Sequence, residues 1–404
     1  MSGRFIYFIL FLITMFTVIV TVQWYLGKRV IKFIYNSKKI RKEIKKNLKI
    51  FVICLLIYLN IPLLYTFAVN IPSKPFSSFT MAVVVYPYVI WGSSYVFIFV
   101  ILKFFDLLKF LGTKIKRNSS KKSEVENTFS SGRRQFLQIA GKSAILSPLF
   151  ISSYGVLFER DNFIVKEEKI NLGNIPERLK EMKIVQISDI HSGIFMGKKE
   201  ISKWVNLIYS QKPDILLITG DFVATSKDSV DSCIEGLRFL RSYMPIYCCL
   251  GNHDYWGNEI ELTKKLTKEG VKVFRNSSEV IDFKGYNVNL CGVEDMRMSS
   301  PDIENALKGL DTQKLTILLS HNPNFFDDAK KYDIDLTLAG HTHGGQININ
   351  LPGITISPAQ LITKYIRGKY RDDRKFLYVT PGVGTIGFPL RINVPPEISV
   401  IKFI

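Results

Sequence analysis

Five histidines serve a chain of 404 residues, and each follows a short apolar run. His191 stands in SDIH after KIVQIS, His253 in GNHD after PIYCCL, and His321 in SHNP after KLTILLS. His341 and His343 share GHTHGGQ after IDLTLA. Asp189 precedes His191 by two positions, Asp221 follows DILLIT in the pair GD, and Asn252 and Asp254 flank His253. Carboxylate oxygen, imidazole nitrogen and an amide carbonyl are ligands for hard-to-borderline divalent cations, and no cysteine sits among them. In an extended backbone residues i and i+2 face one side, so Asp189 and His191 can grip one ion and His341 and His343 can reach one small volume. Two ions about 3.5–4 Å apart would let those last two histidines each take a different one. The adjoining Gly340, Gly344 and Gly345 permit turns that a side chain would block.

Such residues converge only if the surrounding elements bring them together. After Glu159 strand-like runs alternate with helical stretches: 183–188 with 199–210, 214–219 with 229–241, and 245–250 with 259–268. Further strand-like runs cover 314–320, 334–339 and 376–380, and PEISVIKFI closes the chain. The alternation predicts an α/β layered sandwich. Ligand-bearing loops of such sheets gather at the carboxyl ends of the strands, where all five motifs fall. A lone DxH or GD carries little information; the ordered set carries much more.

Charge separates the chain into two parts. Residues 1–158 hold 22 Lys and Arg against 4 Asp and Glu, whereas residues 159–404 hold 32 against 31. The formal net charge of +19 therefore belongs to the first part, and nucleic-acid binding is excluded as its meaning. Residues 5–26, 50–69, 79–102 and, less uniformly, 136–158 are apolar stretches near the ~20 residues a helix needs to cross a bilayer. The basic loops 27–49 and 106–134 should lie in the cytoplasm, the short link 70–78 outside. Those loops either only fix topology or also hold anionic headgroups. The expected domains are a transmembrane anchor over 1–158, with a Ser/Lys/Glu-rich linker at 117–131, and a catalytic domain over 159–404 on the extracytoplasmic side of the cell membrane. Arg133 and Arg134 in SGRRQFLQIAG are similar to a twin-arginine export signal, or are simply a basic flank; no cleavage site follows. Cys248 and Cys249 should point to opposite faces of a strand, and the cysteines show neither zinc spacing nor a dense disulfide framework.

The strings SDIH, GD, GNHD, SHNP and GHTHGGQ, in this order, resemble the calcineurin-like metallophosphoesterase family over roughly Ile164–Ile404. The ending GVGTIGFPLRINVPPEISVIKF is similar to that of its membrane-associated bacterial branch, whose members often begin with a twin-arginine signal. The resemblance implies a four-layer αββα sandwich and two divalent metal ions (Mn, Fe or Zn). One ion would be held by Asp189, His191, Asp221 and His343, the other by Asp221, Asn252, His321 and His341. A hydroxide between them would attack phosphorus, with His253 stabilising charge or protonating the leaving oxygen and Asp254 orienting it.

Arg391 could contact phosphate bidentately or form a surface ion pair. Glu294 and Asp295 read as structural, and Tyr255 and Trp256 as lining the mouth or packing in the core. The expected activity is phosphoester hydrolysis on an envelope or lipid-linked substrate. Hydrolysis of UDP-2,3-diacylglucosamine ranks second, because its substrate is cytoplasmic. An inactive membrane sensor or scaffold is disfavoured by the complete ligand set, and a transporter by spans without buried charge.

Overall fold

A computed structural model describes residues 3–68, 76–118, 131–173, 175–225 and 230–404. Most of the expected link 70–78 and linker 117–131 lies outside the described residues. The chain divides into two compact units, Met1–Asn70 with Ser78–Tyr154, and Gly155–Ile404 with Ile71–Ser77.

The first unit is helical: Gly3–Asn36, Lys42–Ala68, Tyr86–Asn118 and the larger part of Ser131–Leu157, with a π-helical turn Met81–Val85 leading into the third. These helices carry apolar side chains on the outside, among them Phe33, Ile57, Phe104, Phe136 and Phe150. Polar groups pair with one another instead. Gln23 donates to Asn60 at 3.0 Å and accepts from Trp91 at 3.1 Å, and Arg29 meets Asp106 at 2.7 Å. Among the described residues, one helical segment, Lys42–Leu63, is long and apolar enough to cross a membrane.

Among its described residues the second unit has fourteen strands. They are β1 (Ile164–Ile170), β2 (Ile184–Ile187), β3 (Ile215–Thr219), β4 (Ile246–Cys249), β5 (Lys272–Val273), β6 (Ser277–Phe283) and β7 (Tyr286–Gly292). Then come β8 (Thr316–Leu319), β9 (Leu336–Ala339), β10 (Ile349–Leu351), β11 (Ile354–Ile356), β12 (Gly368–Asp372), β13 (Lys375–Val379) and β14 (Glu397–Phe403). One six-stranded sheet runs β1-β14-β2-β3-β4-β5 and the other β12-β13-β9-β8-β7-β6; β10 and β11 form a separate hairpin.

Side-chain alternation builds the layers. Ile184, Leu217 and Cys249 of the first sheet meet Leu290, Ile317 and Leu338 of the second in one core. The next residues, Val185, Leu216 and Cys248, face the other way onto Trp204 and Leu237 of helices Lys198–Gln211 and Asp231–Arg241. On the far side of the second sheet, Cys291 and Leu318 pack with Ile303, Ala306 and Ala329 of short helices. Each such aliphatic side chain contributes about 1.5–3 kcal/mol when fully buried. Cys248 and Cys249 do lie on opposite faces, and all five cysteines are free.

Strands β2, β3 and β4 are parallel, as are β7, β8, β9 and β13, so the carboxyl ends within each set share one edge. Gln186, a buried polar residue in β2, donates to the Ala339 carbonyl of β9 at 3.0 Å and ties the two sheets at that edge.

Candidate metal centre

Asp189 and His191 leave β2, Asp221 leaves β3, Asn252 and His253 leave β4, His321 leaves β8, and His341 and His343 leave β9. All are buried except His341, which is partly exposed. The extended spacing expected for Asp189/His191 and His341/His343 is not what holds them. Asp189, His191, Asp221, His341 and His343 all have left-handed backbones, with φ of 52°, 47°, 58°, 72° and 50°. That conformation costs a non-glycine residue on the order of 1–3 kcal/mol, and persists where the surroundings enforce it. Here the enforcement is hydrogen bonding: Asp189 N–H donates to Gly220, His191 N–H to the Asp221 carbonyl, and Gly384 N–H to the Asp189 carbonyl, all within 3.0 Å. The curled chains then separate the paired histidines. His343 Nε2 lies 3.0 Å from His191 Nε2 and 3.4 Å from Asp189 Oδ1, whereas His341 Nδ1 lies 3.1 Å from His321 Nε2.

Two glycines make the approach possible. A Cβ on Gly340 would fall 2.0 Å from Ser188 Oγ and 2.4 Å from Asp189 Oδ2. One on Gly251 would fall 2.3 Å from Asp221 Oδ1.

Backbone carbonyls set the tautomers, a contribution that residue types alone do not reveal. His321 Nδ1 is 2.7 Å from the Thr219 carbonyl, His191 Nδ1 3.3 Å from that of Val223, and His253 Nδ1 2.6 Å from that of Ala224. A carbonyl only accepts, so each Nδ1 carries the proton and each neutral ring presents its Nε2 lone pair. The lone pair of His321 faces Asp221 Oδ2 at 3.2 Å, and that of His191 faces the same oxygen at 3.6 Å. Acceptors facing acceptors require a cation or a proton between them. Asn252 Oδ1 is likewise buried and has no hydrogen-bond partner. Asp189–His191–His343, His191–Asp221–His253 and Asp221–His321–His341 each bring three donor atoms within 4.8 Å of one another. The residues fit a divalent-metal centre.

The electrostatics agree. Burial pushes His191 down to about 4, His341 down to about 3 and His343 well below the usual range, so these rings are neutral near pH 7. Burial opposes charge on His321 too, but the Asp221 carboxylate beside it outweighs this and lifts it to about 10. A proton on His321 does there what a cation would do. Burial raises Asp189 to about 6.

Two expected roles are corrected. Asp254 does not orient the His253 ring, whose Nδ1 is taken by Ala224. Its carboxylate accepts the N–H groups of Gly251, Asp221, Phe222 and Val223 at 2.7–3.3 Å, and so clamps the loops after β3 and β4. Arg391 is wholly buried and is neither a phosphate contact nor a surface ion pair. Its guanidinium donates to the carbonyls of Pro381, Gly382, Gly384 and Val394, fixing the loop after β13 behind the site. Glu294 joins Arg275 at 2.6 Å and the Tyr255 hydroxyl. Asp295 caps the N–H groups of Arg297 and Met298. Trp256 is exposed and lies against His253, ring centroids 4.2 Å apart.

The sequence profile of the calcineurin-like phosphoesterase family matches residues 182–345, which span β2 to the GHTHGG turn. A Bacillus subtilis (strain 168) protein named uncharacterized metallophosphoesterase YkuE is 30% identical over 275 residues, covering 66% of this chain and 96% of that protein. The chain belongs to the calcineurin-like phosphoesterase family. An Aquifex aeolicus (strain VF5) metallophosphoesterase is 32% identical over 249 residues, 60% of this chain and 90% of that one. A Danio rerio protein named transmembrane protein with metallophosphoesterase domain is 30% identical over 322 residues, 76% of this chain and 70% of its own length. This calcineurin-like phosphoesterase thus has relatives with and without a transmembrane name, and membership carries phosphoester hydrolysis with divalent metal as its general chemistry.

Proposed function

We propose that the chain is a membrane-anchored, dinuclear metal-dependent phosphoester hydrolase. The observation that carries this reading is the gathering of two donor groups, Asp189–His191–His343 and Asp221–His321–His341, at one sheet edge, where the orphaned Asn252 oxygen also leaves β4. One ion would be held by Asp189, His191, Asp221 and His343, the other by Asp221, Asn252, His321 and His341. When bound, two such cations supply a nucleophile at neutral pH and neutralise phosphoryl charge. The chain's own residues do the rest. The Val223 and Thr219 carbonyls keep the Nε2 lone pairs of His191 and His321 turned inward. Asp221 Oδ1 accepts the His253 N–H at 2.8 Å, placing that loop, and Ala224 holds the His253 proton at Nδ1. Protonated as an imidazolium, His253 would carry a second proton at Nε2, which would stabilise or protonate the leaving oxygen, with Trp256 shielding the ring.

The preferred substrate is an envelope or lipid-linked phosphoester. Support comes from the outward-facing apolar side chains of the helical unit, the span-length helix Lys42–Leu63 and the transmembrane name of a relative. On this reading the chain crosses the membrane four times, resembles the twin-arginine branch, and keeps residues 159–404 outside the cytoplasm.

Purified protein should hydrolyse a chromogenic phosphoester only with Mn²⁺, Fe²⁺ or Zn²⁺. His253→Ala should lower kcat by about 10²–10⁴-fold with metal content kept. Undiminished turnover in that variant, or none with any metal, sinks the mechanism. A reporter fused to the C-terminus should be active only outside the membrane; a cytoplasmic signal would overturn the topology and favour the UDP-diacylglucosamine substrate.

A further inference from the structure

The GHTHGGQ turn continues into a lobe made of residues 346–362 and 386–393. In the β10–β11 hairpin Ile349 pairs with Ile356, so both side chains share a face, and Ile354 joins them two positions on. The other face carries Asn350 and Thr355, hydrogen-bonded to each other at 3.1 Å. The isoleucine face is uncovered: Ile349, Ile354 and Ile356 are 42%, 61% and 49% exposed. Leu361 and Ile362, just after the hairpin, are 92% and 63% exposed, and Phe388 is 51% exposed.

These residues belong to one body. The Gln346 side chain accepts from Ile386 N–H at 2.9 Å and donates to its carbonyl at 3.0 Å. Asn348 N–H donates to Ile392 at 2.9 Å, and Asn393 donates back to Asn348 at 2.8 Å. A two-stranded hairpin in water is marginal without a packed apolar face, and contiguous exposed apolar surface marks a binding site.

Charge indicates what covers it. No Asp or Glu occurs between Asp335 and Asp372, whereas Lys364, Arg367, Lys369 and Arg371 do. Lys364 and Lys369 are ion-paired with Asp327 and Glu168. Arg367 is exposed, donates to the Asn393 carbonyl at 3.2 Å, and runs its stem beside Gly344 of the metal turn. A second copy would bring two cationic rims together. An anionic bilayer offers acyl chains for the isoleucines and phosphate for the arginine. The chain also enters this unit here: Arg391 N–H meets the Gly155 carbonyl at 3.3 Å, followed by the exposed Leu157 and Phe158.

We propose that this lobe is an interfacial surface, inserting the isoleucine face of the β10–β11 hairpin into an anionic lipid bilayer and setting the GHTHGG edge of the metal centre at headgroup level. The catalytic consequence rests on the phosphoesterase reading above; the lipid contact does not.

The test uses full-length protein reconstituted in vesicles of phosphatidylcholine and phosphatidylglycerol. A nitroxide is attached in Ile354→Cys and, separately, in Thr355→Cys, each with the exposed native thiol removed by Cys54→Ser. The label at 354 should be relaxed more by oxygen than by a water-soluble nickel chelate, and the label at 355 the reverse. Equal access of chelate to both, or dipolar broadening between 354 labels of two copies, overturns the proposal. In a second arm Ile354→Asp with Ile356→Asp should leave turnover of a water-soluble chromogenic phosphodiester unchanged. The same variant should lose at least about tenfold on an acyl-tailed analogue carried in vesicles, since two apolar side chains no longer enter the acyl layer. Equal loss on both substrates counts against the surface. Absence of turnover on either by the unmutated protein would refute the phosphoesterase reading, while the labels still decide the lipid contact.

Discussion

The two units of this chain place apolar and charged groups in opposite ways. In the α/β unit the aliphatic side chains are inside, and five histidines and two aspartates gather at one edge, where His321 faces the Asp221 carboxylate. In the helical unit the large apolar side chains face outward, and the few polar ones pair within, as Gln23 does with Asn60. A protein interior tolerates charge only when it is paired or holds a cation. An apolar exterior is stable only in an apolar solvent. The first arrangement bears on the chemistry, and the second on the proposed membrane anchor.

The comparison can be broken at four points. The largest effect is expected at Asp221, which lies in two of the three donor groups, with His191 and His253 in one and with His321 and His341 in the other. Asp221→Asn should abolish metal retention and lower turnover by more than about 10⁴-fold, the several kcal/mol of charge stabilisation that the ions supply. Full metal content by elemental analysis would mean that the buried charge is compensated some other way. Next is pH. A cation must displace the proton that His321 retains up to about 10, and below about 6 must also compete with a proton on Asp189. Metal affinity should therefore rise with pH across that window, by up to about tenfold per unit for each proton displaced. Chelator competition at pH 5, 6, 7 and 8 reads it; a flat profile from pH 6 to 8 would remove His321 from the ligand set, and one from pH 5 to 6 would remove Asp189.

Third, Ile57 lies exposed on the helix Lys42–Ala68. Lysine at an exposed position in water is nearly neutral, but within a bilayer it costs about 2.5–3.5 kcal/mol. Ile57→Lys should sharply reduce membrane insertion in a glycosylation-reporter assay. Unchanged insertion would make the two units alike. The smallest effect is Arg391→Lys, which keeps the charge but loses the fork that spans four carbonyls. It should cost about 1.5–3 kcal/mol of stability with KM unchanged. A raised KM at full stability would restore Arg391 as a phosphate contact.

Much of the site was legible because metal ligation needs particular atoms at strand ends. Asp189, His191, Asp221, His321, His341 and His343 do fall together, and Asn252, at the end of β4, has a buried oxygen without a partner. What failed depended on the direction of single side chains at the site. Asp254, adjacent to His253 in sequence, spends its carboxylate on backbone amides instead. Arg391 turns inward, because four free carbonyls of a tight loop need a donor more than the surface needs a charge. The extended i, i+2 geometry gave way to left-handed turns that no residue type announces in Asp or His.

By itself, then, the sequence determined the α/β alternation, the division of charge, the ligand types and their order along the chain, since periodicity, hydropathy and donor chemistry are properties of residues. The tertiary structure alone decided which histidine faces which carboxylate, which carbonyl fixes each tautomer, and that the isoleucines of the β10–β11 hairpin share an uncovered face. Those depend on backbone curvature and strand register, which are set by contacts between residues as far apart as Asp189 and His341.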